Sequence, residues 1–120
     1  MKKLCFAFMT LFVGNLFGMD IKHGDKTIAS LSATPDLQKK KLSTIFVKPV
    51  GDFKLTKFDA SMPAHDHGMV VTATKPKLLE DGRYEVKGVK LHMPGSWQLE
   101  FEGELAGKSV TIKQEIEVAP

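Results

Sequence analysis

Residues 97–118 read WQLEFEGELAGKSVTIKQEIEV, and their apolar side chains recur at every second position. Trp97, Leu99 and Phe101 alternate with glutamine and glutamate, and residues 110–118 repeat the pattern with valine and isoleucine against polar side chains. A period of two is typical of β-strands that bury one face and expose the other. The two segments therefore predict amphipathic strands, and no segment of the chain shows a sustained helical period.

Similar segments, each bounded by turn residues, recur towards the N-terminus. The longest candidate for a helix, Asp36 to Lys41, is short and polar. About seven short strands with turn signals every ten or so residues predict an immunoglobulin-like antiparallel β-sandwich. The other predicted strands are Thr27 to Ala33, Ser43 to Val50, Phe53 to Met62, Met69 to Thr74, and Tyr84 to Met93 with a bulge at Gly88.

The N-terminus has the features of an export signal. Two lysines precede an apolar run from Leu4 to Phe17, broken only by Thr10, Gly14 and Asn15, and Gly18 precedes the polar segment Met19 to Lys22. This pattern predicts a signal peptide, residues 1–18, cleaved to leave a domain of residues 19–120 in the periplasm or outside the cell. The alternative is an uncleaved anchor, which needs about 20 apolar residues, more than this run supplies. After cleavage we expect no stable membrane insertion.

Composition narrows the class of protein further. The 120 residues suit one domain, and the net charge of +3 falls to +1 without Lys2 and Lys3 (15 basic against 14 acidic residues). Such a balance gives no argument for a nucleic-acid partner. The only cysteine, Cys5, lies in the predicted signal, so the mature domain has no thiol for a disulfide or a metal. The run Lys39 to Lys41 is interpreted as a solvated loop rather than a lipid-binding patch.

Two short segments concentrate the side chains that bind soft metals. Residues 61–69 read SMPAHDHGM and residues 92–95 read HMPG, and together they hold three of the four histidines and every methionine after residue 19. Imidazole and thioether together form a donor set suited to copper, as Cu(I), Cu(II) or both. Both segments are predicted at strand ends, where loops of a sandwich can meet. The candidate metal ligands are His65, His67, Met62, Met69, His92 and Met93.

Each candidate ligand also has a purely structural interpretation. Met62 and Met69 can plug the end of the core, and alternation with Leu91 directs Met93 inward and His92 outward to solvent. In a regular strand His92 and Met93 cannot both reach one ion. His65 and His67 can share an ion only if the loop bends at Pro63 and Gly68.

Motifs of the common enzyme classes are missing from the sequence. There is no His-Glu-x-x-His helix, no paired cysteine motif, no phosphate-binding glycine loop and no Gly-x-Ser-x-Gly elbow. Ser61 and Ser96 have no recognisable nucleophile context. We therefore expect no catalytic turnover, and a small hydrolytic or redox enzyme is the weakest of the alternatives.

The order of these motifs resembles a known family. Met62-Pro63 followed by His65-x-His67-Gly68-Met69, then Gly82-x-Tyr84-x-Val86-x-Gly88 and Leu91-x-Met93-x-Gly95-x-Trp97, is similar to the YtkA-like (FixH-like) exported domains. Among them the chain is similar to small secreted copper-resistance proteins of the CrdA type. The resemblance implies a copper-carrying sandwich, with Met62, His67 and Met93 in family positions and His65 and His92 as additional donors. Tyr84 and Trp97 are expected to pack around the site.

The resulting expectation is a periplasmic or secreted copper-binding protein that buffers or transfers the ion in copper resistance. Coordination should weaken in acid, because a histidine must be neutral to bind a metal. The alternative is a non-catalytic interaction module that docks a sheet edge on a metal-efflux or oxidase-assembly protein. The sequence leaves open the oxidation state of the ion, the ligands in direct contact with it, and whether zinc or silver competes.

Overall fold

The computed structural model describes residues 18–120, so the predicted signal peptide, apart from Gly18, lies outside the described residues. Within this range the chain forms nine strands and two 3-10 turns, Leu37–Lys39 and Pro63–His65. The strands are β1 Met19–His23, β2 Lys26–Thr34, β3 Ser43–Pro49, β4 Phe53–Met62, β5 His67–Gly68, β6 Lys77–Leu78, β7 Tyr84–Val89, β8 Gly95–Leu105 and β9 Lys108–Val118.

The strands form two antiparallel sheets that pack as a sandwich. One sheet has the order β9-β8-β4-β5 and the other the order β1-β2-β3-β7-β6. The predicted antiparallel sandwich is therefore confirmed. The structure has nine strands rather than seven. Three strands, β1, β5 and β6, are too short to be recognised from the sequence, and the strand predicted at residues 69–74 is absent.

The core consists of the alternating side chains that the sequence pattern indicates. In β8 the side chains of Trp97, Leu99 and Phe101 are fully buried, and Phe101 packs at 5.3 Å, centroid to centroid, against Phe58 of β4. Burial of each such side chain contributes roughly 1.5–3 kcal/mol.

The burial pattern of β4 shifts by one residue after Leu55, where the β4–β8 register also shifts. An extra residue at a bulge thus keeps both halves of β4 facing the core.

The predicted bulge in β7 is confirmed. The register of β3 with β7 shifts between Ser43 and Ile45, opposite Gly88. Gly88 has a φ of +79°, and a Cβ there would lie 2.9 Å from the carbonyl oxygen of Thr72. Only glycine fits this conformation and this close approach without strain.

Two predicted elements are wrong. Residues 69–74 form no strand, because this segment crosses from β5 on one sheet to β6 on the other and pairs along neither. At its end, the Thr74 N–H donates a hydrogen bond to the Lys87 carbonyl at 2.9 Å. The strand predicted to reach Met93 ends at Val89. The polar stretch from Asp36 forms only the 3-10 turn at Leu37–Lys39, where the Asp36 side chain accepts a hydrogen bond from the Gln38 N–H.

The two candidate donor segments, residues 61–69 and 92–95, lie at one end of the sandwich. The first follows β4, and the second connects β7 of the five-stranded sheet to β8 of the four-stranded sheet. Because β4 and β8 pair in antiparallel fashion with Ser61 opposite Gln98, the end of β4 meets the start of β8. Topology alone thus brings together residues that are about 30 positions apart.

Candidate metal centre

The first donor segment is a tight turn that folds the chain back on β4. Pro63 begins the 3-10 turn, and Asp66 ends it in the left-handed conformation with a φ of +53°, its N–H bonded to the Pro63 carbonyl at 3.2 Å. Strand β5 then pairs with the end of β4, with His67 opposite Met62. This bend brings the rings of His65 and His67 to 5.9 Å, centroid to centroid.

The second donor segment is fixed from both ends. Leu91 is fully buried, and the indole N–H of buried Trp97 donates a hydrogen bond to the Met93 carbonyl at 2.9 Å. Gly95 has a φ of +124°, and a Cβ at this position would lie 2.9 Å from the Met62 methyl group. The chain therefore turns directly after β7, which removes the limit that a regular strand would have set on His92 and Met93.

Together the segments place three histidine rings next to one another, with His67 adjacent to both of the others; we call this group, His65, His67 and His92, the histidine row. The His67 and His92 ring centroids are 5.9 Å apart, the same spacing as between His65 and His67. Beyond His92 the indole of Trp97 meets its ring edge-on at 5.6 Å. His65 and His67 are exposed, whereas His92 is partly buried.

The Nδ1 atom of His92 is buried and, among the described residues, has no hydrogen-bond partner. An unsatisfied buried polar atom costs about 1–3 kcal/mol. The expectation that His92 is simply a solvated side chain is therefore wrong, because the ring lies between His67 and Trp97. A cation bound to this nitrogen would offset the cost.

The row is close to a coordinating geometry without having reached it. Two imidazoles that bind one ion at nitrogen distances of about 2.0 Å place their ring centroids roughly 5 Å apart in a tetrahedral arrangement. The observed 5.9 Å spacings exceed this slightly. Within residues 18–120 no three histidine, cysteine, aspartate or glutamate side chains form a ready metal-binding group. Rotation of the exposed His65 and His67 side chains is the smallest change that closes the gap.

The three candidate methionines lie in different surroundings. Met62 is fully buried in the core, as its structural interpretation predicts. Met69 is half-buried, and its sulfur accepts a hydrogen bond from the backbone N–H of Lys90 at 3.4 Å, two residues before His92. Met93, which alternation directed inward, is 36% exposed because the strand ends before it. Of the three candidate thioethers, Met69 and Met93 are thus the two that are not fully buried in the core.

Tyr84 does not pack around the row. It begins β7, and the five residues to Val89 span about 16 Å at strand spacing. Trp97 is the aromatic neighbour of the row. Neither the hydrogen bond from Trp97 to Met93 nor the buried His92 nitrogen could be predicted from the sequence, because both depend on the turn that follows β7.

Replacing His92 by leucine should leave the metal-free protein as stable as the wild type, or more stable by about 1 kcal/mol, because an unsatisfied nitrogen is removed. The urea midpoint of the metal-free variant measures this effect. A loss of more than about 1 kcal/mol would mean that the nitrogen has a stabilising partner after all.

The fold and the row define a β-sandwich with a histidine- and methionine-rich end. The chain belongs to the YtkA-like family, whose model matches residues 21–102. No curated protein and no solved structure matches the chain. Among residues 18–120, no helix is long and apolar enough to cross a membrane.

Proposed function

We propose that the protein captures copper through the histidine row and thereby buffers or passes on the ion, as a copper-tolerance protein of the periplasm or the cell exterior. The observation that carries the proposal is the convergence of three imidazoles from two distant segments, one of them with a buried, unsatisfied nitrogen. Buried polar atoms without partners are rare in folded proteins and call for a ligand or another specific explanation.

The chemistry of the neighbouring donors favours copper over harder cations. Neutral imidazole binds both copper and zinc, and the thioethers of Met69 and Met93 add a preference for Cu(I). A thioether needs no deprotonation and forms no cross-links, which suits an oxidising compartment. Copper is the cargo of this protein, so the proposed mechanism is reversible ligand capture without turnover.

The test is a copper titration followed by Trp97 fluorescence. Trp97 is the only tryptophan, and its indole lies 5.6 Å from the His92 ring, so an ion bound at the row should quench its emission. We expect the His65→Ala/His67→Ala double variant to lose at least about 100-fold in copper affinity, since changes to groups outside the ligand shell alone cost about 10–100-fold.

The fourth histidine provides the matched control. His23 is exposed in β1, an outer strand of the five-stranded sheet, and His23→Ala should bind copper as the wild type does. Zinc and silver titrations of the same proteins rank the competing ions. Wild-type affinity no better than that of the double variant would reject copper capture at the row.

A second candidate function rests on the outer edge of β4. Strand β5 pairs only with Ser61 and Met62, and within residues 18–120 no strand pairs with residues 53–59 on that side. Such an edge can accept a strand from another protein. If the titration rejects copper capture, an interaction module docking on a metal-efflux or oxidase-assembly protein becomes the better proposal.

A further inference from the structure

The two ends of the histidine row differ in exposure. At the outer end, His65 and His67 are exposed, and Asp66 between them is exposed as well. At the inner end, His92 is partly buried, with Nδ1 shielded from solvent. His67 lies 5.9 Å from each of the other two rings, so it can join either neighbour in binding an ion.

The two ends also differ in the donors that accompany the imidazoles. At the outer end Asp66 lies between His65 and His67 in the sequence, and its carboxylate is exposed to water. Nitrogen and oxygen donors with room for water are the set that Cu(II) prefers. Met62, the methionine next to the outer turn, is fully buried in the core and offers no sulfur at the surface.

The inner end adds sulfur. The Met69 sulfur lies 3.4 Å from the backbone nitrogen of Lys90, on the chain that leads into His92, and Met93 follows His92 with 36% of its side chain exposed. The Trp97 ring packs edge-on against the His92 ring at 5.6 Å, centroid to centroid. Imidazole with thioether, in a place shielded from water, is the set that Cu(I) prefers.

We propose that the row contains two overlapping copper sites that share His67. The outer site, His65 with His67 and Asp66, takes Cu(II), and the inner site, His67 with His92 and Met69, takes Cu(I). The inference rests on the proposed copper capture and adds that the oxidation state of the ion decides which end of the row is occupied.

Two single variants tested against both ions separate the sites. His65→Ala should lower the affinity for Cu(II) about 10-fold or more and leave the affinity for Cu(I) within about twofold. His92→Ala should do the reverse, and His67→Ala should weaken both. Cu(II) binding is followed by electron paramagnetic resonance, and Cu(I) binding by competition with a chromophoric chelator under anaerobic conditions.

A methionine variant tests the sulfur donor. Met69→Leu keeps the apolar volume and removes the thioether, so it should reduce Cu(I) affinity alone. His23→Ala is again the control, and circular dichroism of each variant confirms that the fold is intact.

The outcomes separate this inference from the proposed function. If His65→Ala and His92→Ala lower both affinities by the same factor, the row is a single site and the inference is wrong, while copper capture stands. If Met69→Leu binds Cu(I) as tightly as the wild type does, the inner site as assigned is wrong. If the wild type binds neither ion more tightly than the triple variant His65→Ala/His67→Ala/His92→Ala, copper capture itself fails.

Discussion

Replacing Trp97 by alanine is expected to lower the free energy of unfolding by about 3–5 kcal/mol, the usual cost of removing a large aromatic side chain from a core. Trp97 is completely buried, and it packs against the ring of His92. Its indole N–H also donates a hydrogen bond to the Met93 carbonyl at 2.9 Å. The variant therefore loses core packing and the hydrogen bond that fixes the second donor segment. Because domains of this size are stable by about 5–15 kcal/mol, this loss is a large fraction of the total stability.

Urea denaturation followed by circular dichroism measures the loss. Trp97→Phe is the matched control, because it keeps an aromatic ring and removes only the N–H donor and part of the volume. We expect it to lose roughly 1–2 kcal/mol, mostly for the unpaired carbonyl. Equal losses for the alanine and phenylalanine variants would show that the hydrogen bond, and not the ring, is the stabilising element.

Replacing Gly103 by alanine should destabilise the protein by about 3 kcal/mol, at the upper end of the cost of inserting atoms into a packed core. Gly103 lies in β8 where its register with β4 shifts. A Cβ on Gly103 would collide with the carbonyl oxygen of Lys54 and press on the ring of Phe53. The Lys54 carbonyl is a backbone group, so no side-chain rotation relieves this collision. The two central strands of the sheet, β4 and β8, must therefore separate locally.

Gly107→Ala is the control for this experiment. Gly107 lies in the turn between β8 and β9 with a φ of +82°, and nothing lies within 4 Å of a Cβ added there. Its cost should be limited to the strain of a left-handed alanine, about 1–2 kcal/mol. The thermal unfolding midpoints of the two variants compare the cost of the collision in Gly103→Ala with the cost of the backbone strain in Gly107→Ala. A Gly103→Ala protein as stable as Gly107→Ala would show that β4 and β8 can spread without penalty.

The sandwich could be predicted because its long strands carry a local signal. Residues 97–101 and 110–118 alternate, with Gln114 as the one polar residue in the apolar series, and β8 pairs with β9 over its full length from Gly95 to Leu105. The prediction was wrong where tertiary geometry overrides local preference. Residues 69–74 contain β-branched side chains typical of a strand, yet they must cross between sheets, and Val70 is 66% exposed as a result.

The candidate site, like the fold, could be predicted from the sequence only in part. The concentration of histidine and methionine in two segments is visible in the sequence, and antiparallel pairing of β4 with β8 is sufficient to bring those segments together. The surroundings of each side chain were not predictable, because they depend on where β7 ends. A strand that ends at Val89 rather than at Met93 reverses the expected exposure of both His92 and Met93.

The connection that carries His92 runs from one sheet to the other, whereas His67 belongs to the edge of a single sheet. An ion bound between these two rings, as proposed above, would connect the two sheets at this end of the sandwich. Binding of the ion would lower the population of the locally open state, by a factor that grows with the affinity for the ion. Slower amide exchange at the end of β4 should report this change. Release of the ion and local opening of the sandwich would then be coupled, so any acceptor that separates the two sheets at this end would also promote release of the ion.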